Sequence, residues 1–351
     1  MLTINPYTDK TRHRFLYGLL LSALCLLLLP SCSEEEDTLA GTTDIKPALC
    51  KATLRLNVST FSHDTFGPRA YVQGVDDENR IKDIWVFQYE AKTGRCLKSN
   101  PAYLDDFDSN DIDVLLTFNT NGEESLVCIV ANTHDATWAL NEHGTIKETL
   151  DTYDKLRESV IPSNVSDAFL SGSMGEVGGY TIPMFGVSKP LAIVSESYVS
   201  VPLTRLFARL DVSIDVTSYH QLGMEIEKLR FFNIPYYSCL GVLNESKGDE
   251  TPAKYPSDVQ WKDFDAGKVE SCVLYVPENL QGKVLEMVSK QSATTGFPDN
   301  ALGVELTMSY GENKSKQHVY TVYPGLDMTN DFNVKRNHIY KVNISIRNLP
   351  E

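Results

Sequence analysis

The sequence lacks the short motifs that mark common catalytic sites. It has no Gly-x-Ser-x-Gly turn, no His-Glu-x-x-His helix and no Cys-x-x-Cys pair. The glycine-rich stretch 172–179 contains no lysine, so it does not predict a phosphate-binding loop. Beyond the N-terminal segment no two histidines have metal-ligand spacing; they are His63, His134, His143, His220, His318 and His338. These absences predict a protein that is not an enzyme and that uses no cofactor.

Only one stretch resembles a metal-binding loop. Asp106-x-Asp108-x-Asn110 begins like a calcium loop. Asp111 then stands where that loop needs glycine, and Thr117 stands where it needs a bidentate glutamate. We interpret the stretch as a solvated acidic turn and predict no metal site.

Basic residues are scarce. The chain has 32 Lys and Arg against 47 Asp and Glu, which gives a formal net charge of −15. Residues 1–31 contain three basic residues and one acidic residue, so their removal takes the charge to −17. A surface of this sign repels phosphate backbones, which excludes nucleic acid as an expected partner.

Cysteine is too sparse and irregular for a disulfide framework. Seven are present, and five would be left once Cys25 is cleaved off and Cys32 carries a lipid. Two of the five, Cys128 and Cys272, lie in apolar runs, as expected of small core residues. A bridge between Cys239 and Cys272 is left open by the sequence.

The one long apolar run is at the N-terminus. A short basic region precedes residues 15–30, and Leu29-Pro30-Ser31-Cys32 then reads as a lipobox. The run is too short for a good transmembrane span, and the acidic run Glu34–Asp37 follows almost at once. We predict a lipoprotein signal peptide over 1–31, lipidation at Cys32 and an acidic tether over 32–50. An ordinary signal peptide with a chance cysteine is the alternative.

Alternation with a period of two dominates the rest of the chain and predicts strands. Ala52–Val58 has one apolar face, and Ile81–Tyr89 is apolar on both faces, as in a central strand. The stretch 112–118 and Leu126–Ala131, joined by Asn121-Gly122, predict a hairpin. Further strands are predicted in the second half of the chain, at Leu206–Val216, Glu225–Phe232, Val269–Val276, Val304–Tyr310, Val319–Tyr323 and Ile339–Ile346.

Helix is rare, with one amphipathic stretch near Thr149–Glu158. Many short strands with little helix predict an all-β protein of two β-sandwich domains in tandem. We expect the N-terminal domain to cover residues 51–198 and the C-terminal domain residues 199–351.

Four stretches resemble the Bacteroidetes fimbrillin family, the subunits of type V pili. The first joins Ala52–Val58 to Pro68-Arg69-Ala70 and an acidic turn at 74–78. The second and third are Ile81–Tyr89 and Leu126–Thr133. The fourth pairs Leu206-Phe207-Ala208-Arg209-Leu210 with Lys335-Arg336-Asn337-His338-x-Tyr340. The resemblance implies two transthyretin-like β-sandwich domains and assembly at the cell surface. The acidic residues after Cys32 resemble the Bacteroidetes signal for export to the outer leaflet of the outer membrane.

The resemblance also implies a maturation step. In fimbrillins an arginine-specific surface protease removes the lipidated segment together with the first strand, and here that cut falls between Arg69 and Ala70. Residues 59–79 are polar, so we expect an exposed, cleavable loop. Loss of the first strand would uncover the slot that held Leu54, Leu56 and Val58. A strand donated by a neighbouring stalk subunit would then fill that slot.

Major fimbrillins continue past the Arg-Asn-His-x-Tyr strand into a donor strand, whereas this sequence ends at Glu351. We therefore expect a tip or minor subunit that accepts a strand and whose adhesive ligand is a host or bacterial surface. The alternatives are a pilus anchor that keeps its lipid and first strand, and a surface glycan-binding lipoprotein that never polymerises.

Overall fold

Strands make up most of the structure. The computed structural model describes residues 48–63, 76–98, 100–120, 122–162, 170–172, 182–215, 223–235, 237–242, 259–261, 269–290 and 295–345. Cys32, Arg69 and Ala70 lie outside these ranges. The first ten strands are β1 (Ala48–Val58), β2 (Ser62–His63), β3 (Ile84–Glu90), β4 (Ala102–Leu104), β5 (Asp111–Thr120), β6 (Ser125–Ala131), β7 (Val160–Pro162), β8 (Leu170–Gly172), β9 (Met184–Val187) and β10 (Tyr198–Arg205).

The second half continues the pattern, and the expected all-β fold class is confirmed. Its strands are β11 (Phe207–Asp215), β12 (Glu225–Phe232), β13 (Tyr237–Cys239), β14 (Val259–Trp261), β15 (Val269–Pro277), β16 (Asn279–Lys283), β17 (Gly303–Tyr310), β18 (Lys316–Val322), β19 (Asp331–Val334) and β20 (His338–Ile344).

Seven strands form the first sheet, in the order β4-β3-β6-β9-β10-β1-β5. The sheet curls so that its two ends meet. The Gln88 side chain on β3 donates to the Asn119 carbonyl on β5 at 2.7 Å and accepts from the Asn119 N–H at 2.9 Å. Ile81 and Ser109 form a further bridge between the ends. The inner apolar face is thereby closed into a sandwich with its own core.

The predicted hairpin of β5 and β6 is wrong. β5 pairs along its whole length with β1, and β6 pairs with β3 and β9. The turn signal is confirmed locally at Gly122, which has a φ of 80°. A turn does not choose the partner strand, however. The partner is determined by which strands can bury their apolar faces together, and these strands are distant in the sequence.

The second half builds a five-stranded sheet, β2-β20-β11-β15-β8, and a four-stranded sheet, β14-β12-β17-β18. Two small sheets, β13-β7 and β16-β19, accompany them. The apolar side chains of these strands share one core with the outer face of β3 and β6, where Trp85, Phe87 and Cys128 are buried. β3 is therefore buried on both faces, as its sequence predicts.

The expected domain boundary at 198/199 falls inside the structure of the first sheet. β10 begins at Tyr198 and runs to Arg205, paired with β1 and β9. β2, β7 and β8 come from the first half of the chain but pair with strands of the second half. All the described residues belong to one compact unit, and a division into two domains stays a prediction.

Two local features differ slightly from expectation. The predicted helix is a 3-10 turn at Glu148–Leu150 followed by α1 (Tyr153–Glu158), whose N-terminus is capped by the Thr152 side chain. The acidic tether was expected to reach residue 50, but β1 already begins at Ala48 and Cys50 is buried. No helix in the described ranges is long and apolar enough to cross a membrane.

Candidate functional site

The first strand is an interior strand of the first sheet. β1 pairs in parallel with β10, with Thr53 opposite Tyr198 and Val58 opposite Leu203. It pairs antiparallel with β5 from Ala48 opposite Thr120 to Asn57 opposite Asp111. Its backbone groups therefore bond on both sides, unlike those of an edge strand.

One face of β1 lies on an apolar bed. The exposed fractions of Cys50, Ala52, Leu54 and Leu56 are 6%, 0%, 0% and 1%, and Val58 is partly buried. The bed beneath them is supplied by four neighbouring strands, and its members are Ile84, Val86, Ile112, Phe118, Val127, Ile129, Val199, Val201 and Leu203. Full burial of a leucine side chain stabilises a fold by about 1.5–3 kcal/mol. The alternation in the sequence thus marks a strand that is firmly packed on one side.

The opposite face of β1 is largely exposed and, apart from Leu49, polar. Arg55 forms a bidentate pair with Asp113 on β5, with two N–O distances of 2.9 Å, and its guanidinium lies 4.8 Å from the ring centroid of Tyr198. The hydrogen bonds from Arg55 hold the pKa of the Asp113 carboxyl below its ordinary value. Both side chains of the pair are about half exposed, so the pair contributes little to stability.

β5 depends on β1. It is the last strand of the sheet, and β1 is its only strand partner among the described residues. If β1 left, the ladder would be lost on two sides at once: β10 and β5 would both expose unpaired N–H and C=O groups. Such a vacancy is a groove with strand partners on both walls and an apolar floor. It is therefore suited to bind another extended chain.

The chain stays fixed after β1 ends, so the loop expected over 59–79 is not free at its two described ends. The Ser59 N–H donates to the Leu203 carbonyl at 2.8 Å, and Ser62–His63 pairs in parallel with β20. At the other end, residues 76–79 form a 3-10 turn in which Glu78 is buried. Composition alone suggested exposure, but distant side chains hold both ends. Only residues 64–75 between them lie outside the described structure.

Both ends of that segment meet at a buried arginine, Arg205. Its Nε donates to the Glu78 carbonyl at 2.9 Å, and Nη1 donates to the Ser59 carbonyl at 2.6 Å and to Asn337 Oδ1 at 2.8 Å. Nη2 donates to Asn79 Oδ1. The side chain is 1% exposed, and burial lowers its pKa to about 10.

A second buried arginine completes this network. Arg209 Nη1 donates to Glu78 Oε1 at 2.7 Å, and its Nε donates to Asp211 at 2.5 Å. The Tyr275 hydroxyl also donates to Glu78 Oε1. Burial, with the negative charge of Glu78, raises the pKa of Tyr275. The sequence analysis did not predict this network. Arg209 and Asp211, two charged residues within the apolar strand β11, were the feature that could have indicated it.

The acidic turn at 106–110 is engaged by cations of the protein itself. Asp108 accepts from Arg80 at 3.0 Å and from Lys82 at 2.6 Å, and the Lys82 hydrogen bond is the main reason its pKa is lowered. Across the described ranges, no three His, Cys, Asp or Glu side chains are grouped to hold a metal ion. The Cys272 side chain lies outside the described structure, so its pairing with Cys239 stays open.

A shallow cavity of about 650 Å³ lies beside α1. Its lining includes Trp138 together with Lys147, Glu148, Lys155 and Glu158. Trp138 is the only aromatic residue among those that line it. The alternative of a glycan-binding lipoprotein predicts a concave aromatic patch, and this cavity, with one aromatic residue, does not provide one.

Comparisons with known proteins agree with this architecture. A family model described as a domain of unknown function (DUF4906) matches residues 274–344, from within β15 to the end of β20. No curated protein sequence matches the chain. The structure is similar to that of the tip fimbrial protein Mfa3 from Porphyromonas gingivalis, solved with a C-terminal truncation. The two are 14% identical with a TM-score of 0.55, over 87% of this chain and 96% of the other.

Two further solved structures are similar over comparable lengths. One is a candidate cell adhesion protein from Parabacteroides distasonis, at 15% identity and a TM-score of 0.53, over 84% of this chain and 87% of the other. The other is a candidate cell adhesion protein from Bacteroides eggerthii, at 12% identity and a TM-score of 0.53, over 86% and 87%. The chain has the fold of a bacterial fimbrial protein. The all-β sandwich-type fold implied by the fimbrillin resemblance is thereby confirmed.

Within this fold, the described strands of the stretches that carried the resemblance occupy interior positions in their sheets. They coincide with β1, β3, β6, β11 and β20, each of which has a strand partner on both sides. Arg209 of the β11 stretch and Asn337 of the last stretch both belong to the buried network around Glu78 and Arg205. The sequence motifs therefore include Asn337, which holds the continuation of the first strand, and Arg209, which holds Glu78 beyond residues 64–75.

Proposed function

We propose that this chain is a structural and adhesive subunit of a surface fimbria, of the tip or minor type, that joins its neighbour by strand exchange. In this proposal the chain is exported as a lipoprotein with its anchor on Cys32. An arginine-specific protease then cuts between Arg69 and Ala70. The lipid and the first strand leave together, and a stalk subunit inserts its own strand. The role requires binding alone, without catalysis or a cofactor.

The observation that carries the proposal is the setting of β1. This strand precedes Arg69 in the chain, so a single cut there separates it covalently from everything that follows. It nevertheless lies between two partner strands on an apolar bed that buries Leu54 and Leu56 almost completely. Its departure would leave both the backbone ladder and the bed unsatisfied. A strand from another subunit restores both and needs no external energy source.

The same setting explains why the uncut protein would not polymerise early. While β1 is covalently attached, it competes for the groove at an effective concentration far above that of any separate chain. Cleavage removes this advantage and lets a neighbour compete. The tip assignment draws further support from the similarity of Pro68-Arg69-Ala70 to the fimbrillin cleavage site and from the fold shared with a tip fimbrial protein.

The N-terminal residue of the surface form tests the proposal. Mass spectrometry of protein sheared from cells should find an N-terminus at Ala70, and an Arg69→Ala variant should keep a lipidated Cys32. Arg80→Ala is the matched control, because this arginine lies outside the cleavage stretch and should not alter the cut. A wild-type protein that always begins at lipidated Cys32 would contradict the tip role and favour the anchor.

Strand acceptance is tested separately with purified protein. Protein trimmed at Arg69 and mixed with a peptide of a stalk subunit's donor strand should form a stable complex, whereas the uncut protein should not. A trimmed protein that rejects donor strands, or an isolated monomer that binds polysaccharide and never a strand, would contradict strand exchange.

A further inference from the structure

The segment that leaves on cleavage contacts both major sheets. β1 lies in the first sheet, whereas Ser62–His63 forms an edge strand of the second sheet beside β20. The three residues between these strands run past Arg205 and Asn337. The groove for an incoming strand is therefore longer than the bed of β1, and its second part has different chemistry.

The Arg205 side chain contacts residues 59–61 at one backbone carbonyl and one aromatic ring. Its Nη1 donates to the Ser59 carbonyl at 2.6 Å, and its guanidinium lies 4.0 Å from the ring centroid of Phe61. The negative face of an aromatic ring attracts a guanidinium, and Arg205 itself is buried. The other hydrogen bonds of Arg205 go to Glu78, Asn79 and Asn337, all on the retained side of the cut.

Asn337 binds the two neighbouring peptide groups. Its Nδ2 donates to the Thr60 carbonyl at 2.8 Å, and its own carbonyl accepts from the Ser62 N–H at 2.8 Å. Asn337 has a φ of 56°, a left-handed conformation that asparagine tolerates better than most residues. Its own N–H is bonded to the Phe207 carbonyl at 2.9 Å. Asn337, which directly precedes β20, is thus held against β11, and its side-chain amide bonds to the departing segment.

We propose that Arg205 and Asn337 form a carbonyl clamp, a second subsite that reads the incoming strand after its apolar part has filled the bed of β1. The clamp binds two consecutive backbone carbonyls and an aromatic side chain of the incoming strand. Relative to the residue that replaces Leu56, the aromatic residue lies five positions further along the incoming strand. This inference rests on strand exchange and adds a required length and register.

The reason is the state of the clamp once residues 48–69 have left. Arg205 loses a carbonyl and its aromatic contact, and Asn337 loses two backbone partners, while both stay anchored to the retained chain. A buried donor left without a partner destabilises the protein, and a charged donor does so more strongly. The apolar bed alone tolerates a shift of two residues along the strand, because its pockets repeat. The clamp binds at one fixed position beyond the apolar bed. A strand shifted by two residues would therefore fill the bed but miss the clamp.

The test uses the full chain trimmed at Arg69, under reducing conditions, and peptides of this chain's own residues as probes. Peptide 48–63 contains both parts of the segment, and peptide 48–58 contains the β1 part alone. Equilibrium binding is measured by fluorescence anisotropy. We expect peptide 48–63 to bind at least about 30-fold tighter, because it adds hydrogen bonds to a charged donor and the aromatic contact. Phe61→Ala in the peptide should weaken binding about tenfold, and the matched change Thr60→Ala should have almost no effect.

Varying the peptide keeps the protein's buried network intact. Equal affinity of the two peptides, or a Phe61→Ala peptide as tight as the original, would overturn the clamp while leaving strand exchange standing. Failure of every peptide to bind would overturn strand exchange and the clamp with it.

Discussion

The two parts of the first segment are held in opposite ways. β1 is held by side-chain burial: Leu54 and Leu56 fill apolar pockets, and the backbone ladder extends over ten residues on the β5 side. Residues 59–62 are held by their backbone, through the carbonyls of Ser59 and Thr60. Apolar pockets select for hydrophobicity but repeat every two residues. Polar contacts at a fixed point define register. Under the proposed strand exchange, a replacement strand of different sequence would need both kinds of contact.

The largest effect on stability is expected at the polar end. Arg205→Ala leaves carbonyl and amide oxygens of four residues without their buried donor, so we expect a loss of about 3–5 kcal/mol in the free energy of unfolding. Arg55→Ala, an exposed arginine on β1, is the matched control and should change little. Urea denaturation measures both. Equal effects of the two changes would mean that the buried network does not fasten the segment.

Leu54→Ala tests the apolar end. The side chain is completely buried, so its truncation should cost about 2–5 kcal/mol from lost transfer energy and the cavity left behind. Leu49→Ala on the same strand is the control, since Leu49 is largely exposed on the outer face. Thermal unfolding of the uncut protein reports both variants. A Leu54→Ala variant as stable as the wild type would place β1 outside the cooperative fold.

Phe61→Ala in the uncut chain should have a smaller effect. It removes the ring that faces Arg205 but leaves every backbone hydrogen bond of the segment in place. We expect a loss of about 1–2 kcal/mol. Thr60→Ala, whose side chain is exposed, should stay within a few tenths of a kcal/mol. Chemical denaturation of the pair separates the aromatic contact from a general effect of shortening side chains in this segment.

The smallest effect is expected from the ion pair on the exposed face of β1. Arg55 lowers the pKa of Asp113, so the pair stabilises the folded state above the unfolded-state pKa. That contribution is lost as the pH falls through the lowered pKa of the folded state. Asp113→Asn should therefore shift the urea midpoint slightly at neutral pH and low salt, and not at all at strongly acidic pH or high salt. A shift that persists at low pH would have another cause.

The sequence predicted those features that local patterns encode. The alternation from Ala52 to Val58 identified a strand with one buried face, and the all-apolar run at Ile81–Tyr89 identified a strand buried on both faces. Both follow from the two-residue period of a strand and need no knowledge of the partner.

The sequence did not predict features set by distant partners. The pairing of β5 with β1 rather than β6 depends on contacts that close over more than fifty residues. Arg205 binds groups 127 and 132 residues away in the chain, and no spacing rule connects them. The polar composition of residues 59–79 suggested a free loop for the same reason. Its ends are polar because backbone and side-chain groups there bond to the buried network.

Hydrogen exchange in β5 tests the central claim most directly, because that strand has β1 as its only described strand partner. Amide exchange of residues 111–120 should be slow in the uncut protein and fast after cleavage at Arg69 and removal of the released segment. Protection should return when peptide 48–63 is added. If β5 stays protected after the segment has been removed, or if the cut segment cannot be removed from the folded protein at all, the first strand is not an exchangeable element.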